Sequence, residues 1–385
     1  MKFSILIIAV GCHYSHVARF ISNLKQENPE VEIHYFTNKK IEEIPDEIIN
    51  NVENIIYQEQ KKKKGSLVAF NKLFSLRKQF KDMSRNNRYD IIDIHFPKYF
   101  MAVTMRYLHK MSRNVVVSPW GSDILRVDGI EFKLLLNGVL KKCDYITTPM
   151  DGNIGKRIIS NLPNSRSKFR PLYWGSETID YLTSHFAELD TQTAKTQFGL
   201  NGRYVITCGY NAFPAQNHEK IIDAISVIQS QLPENLTLLF PVSYGFQDKD
   251  IYVEKIKEKC KEKQLDAVFV EKYLSVADVC KLRMATDLFI HVQNTDAGCA
   301  SLQEYILCGK KVVHGSWIHY PMLERYQPLC FYPSPDFSSL SSVILEAYNS
   351  EGINVTQEVF AIIRQNGWIQ RRKEWNDLFE SLAVK

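Results

Sequence analysis

Asp296 and Glu304, two carboxylates separated by seven residues, sit in the part of this chain best suited to chemistry, Ala285 to Pro321. The stretch reads as an apolar strand (Leu288 to Val292), a polar loop (Gln293 to Cys299), a short helix (Ala300 to Leu307), a Gly309 stop and a second strand (Lys311 to His314). In such a unit the loop leaves the carboxyl end of the strand and feeds the amino terminus of the helix. Unpaired backbone N–H groups and the helix dipole there favour an anion. A phosphate would sit on the N–H groups of Ala300, Ser301 and Leu302, with Asp296 and Glu304 facing whatever the phosphate carries. Sugar hydroxyls suit two carboxylates. The competing reading is a solvated acidic pair in an ordinary strand, loop and helix unit.

The elements that must position these groups recur along the chain. In the first half KFSILIIAV, VEIHYFT, NIIYQ, YDIIDIH, NVVVSPW and YITTPM are short apolar runs. Helical stretches such as His16 to Lys25 and Phe100 to Met111 separate them. That alternation predicts an α/β fold with open parallel sheets and helices on both faces. After the first strand comes Gly11-Cys12-His13-Tyr14-Ser15-His16, which has one glycine and lacks the dinucleotide-binding fingerprint. Loops at strand ends supply His13, His16, His95, Trp120, Ser122 and Asp123. The second half restarts with strand Tyr204 to Cys208, loop Gly209 to Asn217, helix His218 to Ser230 and strand Leu236 to Val242. Residues 177–202 are polar without a strand pattern and read as a linker between domains 1–176 and 203–361.

Several of these stretches resemble the family 4 glycosyltransferases. In that family two acidic residues with seven between them precede a small-residue helix and a "cGkpVi" strand, as Asp296, Glu304 and QEYILCGKKV do here. The resemblance implies that Asp296, in a slot the family usually fills with Glu, contacts donor-sugar hydroxyls, and that Glu304 contacts the nucleotide ribose. VVVSPWGSDIL is similar to the family's strand before "HGsD", matching at Gly121, Ser122 and Asp123, with Trp120 where many members have His. DIIDIHF is similar to its "DvihaH" strand and ends near His95, and FRPLYWGSETIDY resembles its "vipnGvD" crossover at Gly175. Where the family presents an Arg and a Lys to the donor diphosphate, this chain has Gly209-Tyr210-Asn211 and Gln216-Asn217-His218. CGYNAFPAQNH, FPVSYG and YVEKI are closer to lipid-linked amino-fucose transferases of bacterial surface glycans.

The fold this implies is the GT-B architecture, two Rossmann-like doubly wound domains facing across a cleft, with the last helix, about 362–385, crossing back to the first. Trp368 and Trp375 lie seven apart on that helix and read as core anchors. The activity implied is transfer of a sugar from a nucleotide-sugar donor to a glycan or lipid-linked acceptor in bacterial-type surface polysaccharide assembly, with no metal or other cofactor. A family 4 mechanism retains the anomeric configuration. The amino-fucose alternative inverts it and needs a base, for which Asp123, His13 and His95 are candidates. Gly209, Asn211, Asn217, His218 and Tyr244 are expected to serve the nucleotide with Glu304 and the helix start. His218 would carry charge only when protonated, near or below its ordinary pKa of about 6.5, and Lys272 or Arg283 are alternative cations. A sugar-nucleotide 2-epimerase and a catalytically inactive nucleotide-sugar-binding scaffold remain competing readings.

Composition agrees with a globular chain of this kind: 385 residues, 45% hydrophobic, 24% charged and a net charge of +5. The longest apolar runs fall short of the roughly 20 residues that span a bilayer. Eight widely spaced cysteines, with no zinc-type spacing, suit a reducing cytoplasm rather than a disulfide framework. Charge is uneven: residues 61–113 hold fourteen Lys/Arg against three Asp/Glu. Leu67, Phe70, Leu73, Phe74, Leu76 and Phe80 are interleaved with this charge. The stretch reads as a basic amphipathic helix that either covers the sheet or lies on the inner face of a membrane. Nucleic acid is not an expected partner.

Overall fold

The computed structural model describes residues 1–11, 14–58, 66–320, 330–352 and 355–384. The chain divides into two compact units, Met1–Gly175 with Trp368–Lys385, and Ser176–Gly367.

The first unit is built on β1 (Ser4–Ala9), β2 (Glu32–Thr37), β3 (Asn54–Tyr57), β4 (Ile91–His95), β5 (Asn114–Ser118), β6 (Tyr145–Thr147) and β7 (Phe169–Arg170), in the order β3-β2-β1-β4-β5-β6-β7. All pairings are parallel, with Ile5 opposite Ile33 on one side and Ile91 on the other. β1 and β5 are largely apolar runs, and β4 is apolar apart from Asp93 and His95, because helices cover both faces of the sheet. The terminal helix Trp368–Ala383 packs in this unit against the first helix, Tyr14–Glu27, and buries Trp368 and Trp375. Gly175 makes room for it, since a Cβ there would lie 2.4 Å from the Trp368 ring.

The second unit holds β8 (Tyr204–Cys208), β9 (Leu236–Pro241), β10 (Ala267–Val270), β11 (Leu288–His291), β12 (Lys311–His314) and β13 (Cys330–Phe331). Their order is β10-β9-β8-β11-β12-β13, again with parallel pairing throughout. The outer strands β7 and β13 have two residues each, too few for a period to be read from sequence.

Two expectations need correction. Residues 177–202 are not a linker: helices Glu177–His185 and Thr191–Gln197 fill most of the stretch and pack on helix Val276–Ala285. Ile179, Leu182 and Ala194 are buried in the second unit's core, an apolar stripe hidden by the polar residues around it. The boundary therefore lies between Gly175 and Ser176. In the basic stretch, a helix spans Ser66–Asn86, with Leu76 and Phe80 buried and Phe74 60% exposed, so it is neither wholly core-facing nor wholly solvated. Lys61 to Lys64 lie outside the described residues.

Candidate active site

In the second unit β8 is flanked by β9 and by β11, so the strand order reverses beside it. Ligands of open α/β sheets bind in the crevice beyond the strand carboxyl ends at such a switch point. Here the loop after β8 supplies Gly209, Tyr210 and Asn211, and the loop after β11 supplies Gln293 to Cys299. The Gly209 N–H donates to the Ile290 carbonyl (3.0 Å), which ties the two strand ends together. Gly209 adopts φ 65°, and a Cβ on it would lie 2.8 Å from Gln216 Oε1 and 2.9 Å from His218 Nε2, so both conformation and space require glycine.

The helix expected from Ala300 to Leu307 is present with those bounds, and its amino cap is the buried Cys299, whose Sγ accepts from the Leu302 N–H (3.3 Å). Leu302 is therefore already occupied, and Ala300 and Ser301 head the turn. A thiol is a weaker cap than Ser, Asp or Asn, which is why sequence gave no strong start signal here.

Asp296 lies on the approach to that turn with its side chain 13% exposed. Its Oδ1 accepts from the Ala297 N–H (2.7 Å) and its Oδ2 from the Tyr320 hydroxyl (2.8 Å), with His291 Nε2 at 3.5 Å. Burial alone would raise its pKa, but His291, the Tyr320 hydroxyl and the Ala297 N–H together hold it below the ordinary carboxylate value. Asp296 is an anion at neutral pH.

Glu304 is 4% exposed. Its Oε2 receives Arg283 Nε (3.0 Å) and its Oε1 the Ser176 hydroxyl (3.1 Å). The same guanidinium donates to the Tyr305 hydroxyl (2.9 Å) and to Ser301 Oγ (3.1 Å). A buried ion pair thus spans the first turn of the helix, with its cationic end toward Ser301. Tyr244 lies within electrostatic reach of Arg283, Cys299 and Glu304 and meets the Asn211 side chain, while Tyr210 is coupled in the same way to Asp296 and Cys299. Gly209, Asn211, Tyr244, Asp296, Ala300, Ser301, Leu302 and Glu304 are therefore brought into one locality.

Two members expected at the diphosphate are used otherwise. The Asn217 amide donates to the Val292 carbonyl (2.7 Å) and to Asn294 Oδ1 (2.8 Å), pinning the two loops together. His218 is fully buried beneath Gly209, with Nδ1 3.1 Å from the Tyr252 hydroxyl, and burial lowers its pKa to about 4. It does not become a cation near neutrality as expected, because a hydrogen bond with the Cys208 backbone offsets only part of the lost hydration. A histidine depressed in the folded state contributes stability that is fully present above its unfolded pKa of about 6.5 and is lost as pH falls from there toward 4. Nucleoside diphosphate affinity is thus expected to be flat between about pH 7.5 and 6 as far as His218 is concerned. Between about pH 6 and 4, unfolding free energy is expected to fall by up to about 1.4 kcal/mol per pH unit, a slope missing in His218→Gln. A His218→Gln protein whose stability profile overlays the parent's would remove this assignment.

The first-unit candidates are engaged too. Asp123 is buried and accepts from the N–H groups of Gly121 (2.7 Å) and Trp120 (3.1 Å), fixing the turn at Gly121, whose φ is 134°. Burial raises its pKa to about 6 against the opposing pull of those N–H groups. His95 is buried at the end of β4, with Nε2 2.9 Å from Asp93 Oδ2. Asp93 Oδ1 accepts from Ser118 Oγ (2.6 Å), and Phe20, Trp120 and Trp174 close around the imidazole. Burial and these rings leave neither group an open base. His13 lies outside the described residues, and His16 is exposed beside the Trp120 ring.

Tyr320, His291 and Ser176 were not expected from the sequence, and Arg283 was named only as an alternative. None belongs to a local motif, since they meet through the sheet and through helix packing. Lys272, the other alternative cation, is exposed. Among the described residues, His291, Asp296 and Cys299 each place one ligand atom within 4.8 Å of the others, a set that could admit a cation. The Tyr320 hydroxyl, 2.9 Å from His291 Nε2 and 2.8 Å from Asp296, already serves two of the three.

Residues 5–149 match the family model described as Glycosyl transferase 4-like. The match falls in the first unit, whereas the acidic signature lies in the second. No curated protein sequence matches the chain. Solved structures do. HepE of Anabaena, in complex with UDP and glucose, is 15% identical, covers 99% of this chain and 100% of its own, and has a TM-score of 0.68. A glycosyltransferase from Rickettsia africae is 12% identical over 99% and 98%, with a TM-score of 0.72. An α,α-trehalose-phosphate synthase (UDP-forming) from Burkholderia xenovorans is 10% identical over 99% and 100%, with a TM-score of 0.67. The first unit matches the Glycosyl transferase 4-like family model over most of its length, and the fold of the whole chain is that of GT-B glycosyltransferase structures.

Proposed function

We propose that the chain binds a nucleotide-sugar at the carboxyl ends of β8 and β11 and transfers the sugar to a glycan or lipid-linked acceptor in bacterial-type surface polysaccharide assembly, without a metal. The observation that carries this reading is Asp296, an anion held beside the first turn of helix Ala300–Leu307. A diphosphate on that turn places its sugar toward the carboxylate, and the Arg283 end of the buried pair faces the same turn. The UDP and glucose in the HepE complex support a uridine nucleotide as the first donor base to test.

Retention of configuration is the stereochemistry proposed, on the resemblance of Asp296, Glu304 and QEYILCGKKV to the family 4 signature. Inversion needs a general base, and of the candidates Asp123 accepts backbone N–H bonds and His95 is buried against Asp93, while His13 lies outside the described residues. Anomeric assignment of the product tests this directly. Among the described residues no helix is long and apolar enough to cross a membrane. The basic stretch and the exposed Phe74 support work at the inner membrane face from the cytoplasm.

A thermal-shift screen over nucleotides and nucleotide-sugars is the first experiment, because ligand at 100 times its dissociation constant adds about 2.7 kcal/mol. For Asp296→Asn we expect nucleotide-sugar binding to weaken by about 1.5–3 kcal/mol, the worth of charge-assisted bonds to sugar hydroxyls, with free nucleotide little affected. Equal losses for both ligands would place Asp296 away from the sugar. Release of an altered nucleotide-sugar without acceptor would instead favour an epimerase, and binding with neither transfer nor hydrolysis would favour a scaffold.

A further inference from the structure

Away from the strand carboxyl ends, the first unit carries a cavity of about 400 Å³ lined by Lys81, Ser84, Arg85, Arg106, Tyr107 and Lys110. One wall comes from helix Ser66–Asn86 and the other from helix Met105–Met111. Arg77, Lys81 and Arg85 repeat at a spacing of four along the first helix, and Arg106 and Lys110 do so on the second, so each stripe occupies one helix face. Lys81, Arg85, Arg106 and Lys110 are exposed. Arg85 pairs with Asp82 at 3.0 Å, and among the described residues no carboxylate lines the cavity itself.

Cations in the last turn of a helix are ordinarily explained by the helix dipole, and Arg85 and Lys110 fit that account. Arg106 does not. It lies in the first turn of its helix, where the dipole disfavours a positive charge, and it is fixed there by packing over the Tyr107 ring (4.5 Å) and by donating to the Tyr107 hydroxyl. Arg77 also reaches that hydroxyl, which lowers the tyrosine's pKa second only to Arg106. Mutual repulsion on this scale is relieved most directly by a bound anion.

The position separates this cavity from substrate chemistry. Both helices end just before the strands they feed, β4 from Ile91 and β5 from Asn114, so the groove lies toward the amino ends of these strands. Reacting ligands of such sheets sit at the opposite end.

We propose that this groove is a binding site for a phosphate group, built to hold the protein by an anionic ligand rather than to process it. Guanidinium forks and lysine ammoniums suit phosphate oxygens, and the volume admits a phosphate with part of the group that bears it. The inference deepens the membrane-surface part of the reading above and is independent of the donor site. Two sources share the chemistry, the headgroup of an anionic phospholipid and a soluble phosphate.

The test uses the full chain and the triple variant Lys81→Gln/Arg106→Gln/Lys110→Gln, all at exposed positions. Vesicles of equal parts phosphatidylglycerol and phosphatidylcholine are the first probe, and inorganic pyrophosphate without vesicles is the second. The expected result is binding by the parent that weakens with salt and falls at least about tenfold in the variant, while the charge-conserving variant Lys81→Arg/Arg106→Lys keeps it. Loss confined to vesicles identifies a lipid headgroup, and a matching loss for pyrophosphate identifies a soluble phosphate. A triple variant that binds both probes as the parent does, or a parent that binds neither, overturns the proposal. Nucleoside diphosphate thermal shifts are expected to be equal in all three proteins, so failure here leaves the donor site standing.

Discussion

Replacing Arg283 with Met is expected to lower the unfolding free energy of the second unit by about 3–5 kcal/mol, because it strands the Glu304 carboxylate. The side chains of the pair are 7% and 5% exposed, so neither charge recovers hydration when its partner is lost. Three further groups depend on the same centre: Ser176 donates to Glu304, and Arg283 donates to Tyr305 and Ser301. Denaturant unfolding followed by the fluorescence of Trp317, which packs within this unit, reads the loss. The double variant Arg283→Met/Glu304→Leu removes both charges and is expected to recover most of it, since a buried pair costs nearly as much to desolvate as it returns. A single variant within about 1 kcal/mol of the parent would show that the pair is not buried as described. Once stability is restored, the double variant has a second use. If the cationic end of the pair helps the helix start hold a diphosphate, nucleoside diphosphate binding stays weak while the fold is intact.

For Trp375→Ala the expected loss is about 3–5 kcal/mol, the range for emptying a large aromatic site in a packed core. Trp375 is 1% exposed, and its ring meets Phe20 (5.0 Å between centroids), Trp174 (5.4 Å) and Phe379 (5.7 Å). Its indole N–H also donates to the Tyr173 carbonyl (3.0 Å), which the truncation leaves unpaired. The terminal helix is joined to the first unit by these contacts, so faster hydrogen exchange over Trp368–Ala383 should accompany the drop in stability. Trp375→Phe keeps most of the ring and loses less. Unchanged stability with weakened sugar binding would instead make Trp375 a stacking surface for sugar, a role its burial argues against.

The elements were legible where the pattern was long and the burial one-sided. Buried parallel strands are apolar along most of their length, so KFSILIIAV, YDIIDIH and NVVVS announced β1, β4 and β5, with Asp93 and His95 of β4 paired to each other. Helix Ala300–Leu307 followed from a strand, a polar loop and the Gly309 stop. The stretch 177–202 misled because two short helices bury only a few residues each, and its polar majority hides Ile179, Leu182 and Ala194.

Sequence by itself determined the order of the longer inner strands, the doubly wound class and the carboxylate before the Ala300 helix, because each depends on residues close together in the chain. Tertiary structure alone decided what the polar residues do. Arg283 meets Glu304 and Ser176 meets Glu304 across separations of 21 and 128 residues, and Tyr320 reaches Asp296 across 24. His218 and Asn217 look like phosphate ligands in the chain, but packing under Gly209 strips one of its proton and loop closure uses both amide hydrogens of the other. A side chain's chemical type is written locally. Its charge and its free hydrogen bonds depend on burial and partners, which the sequence leaves to the fold.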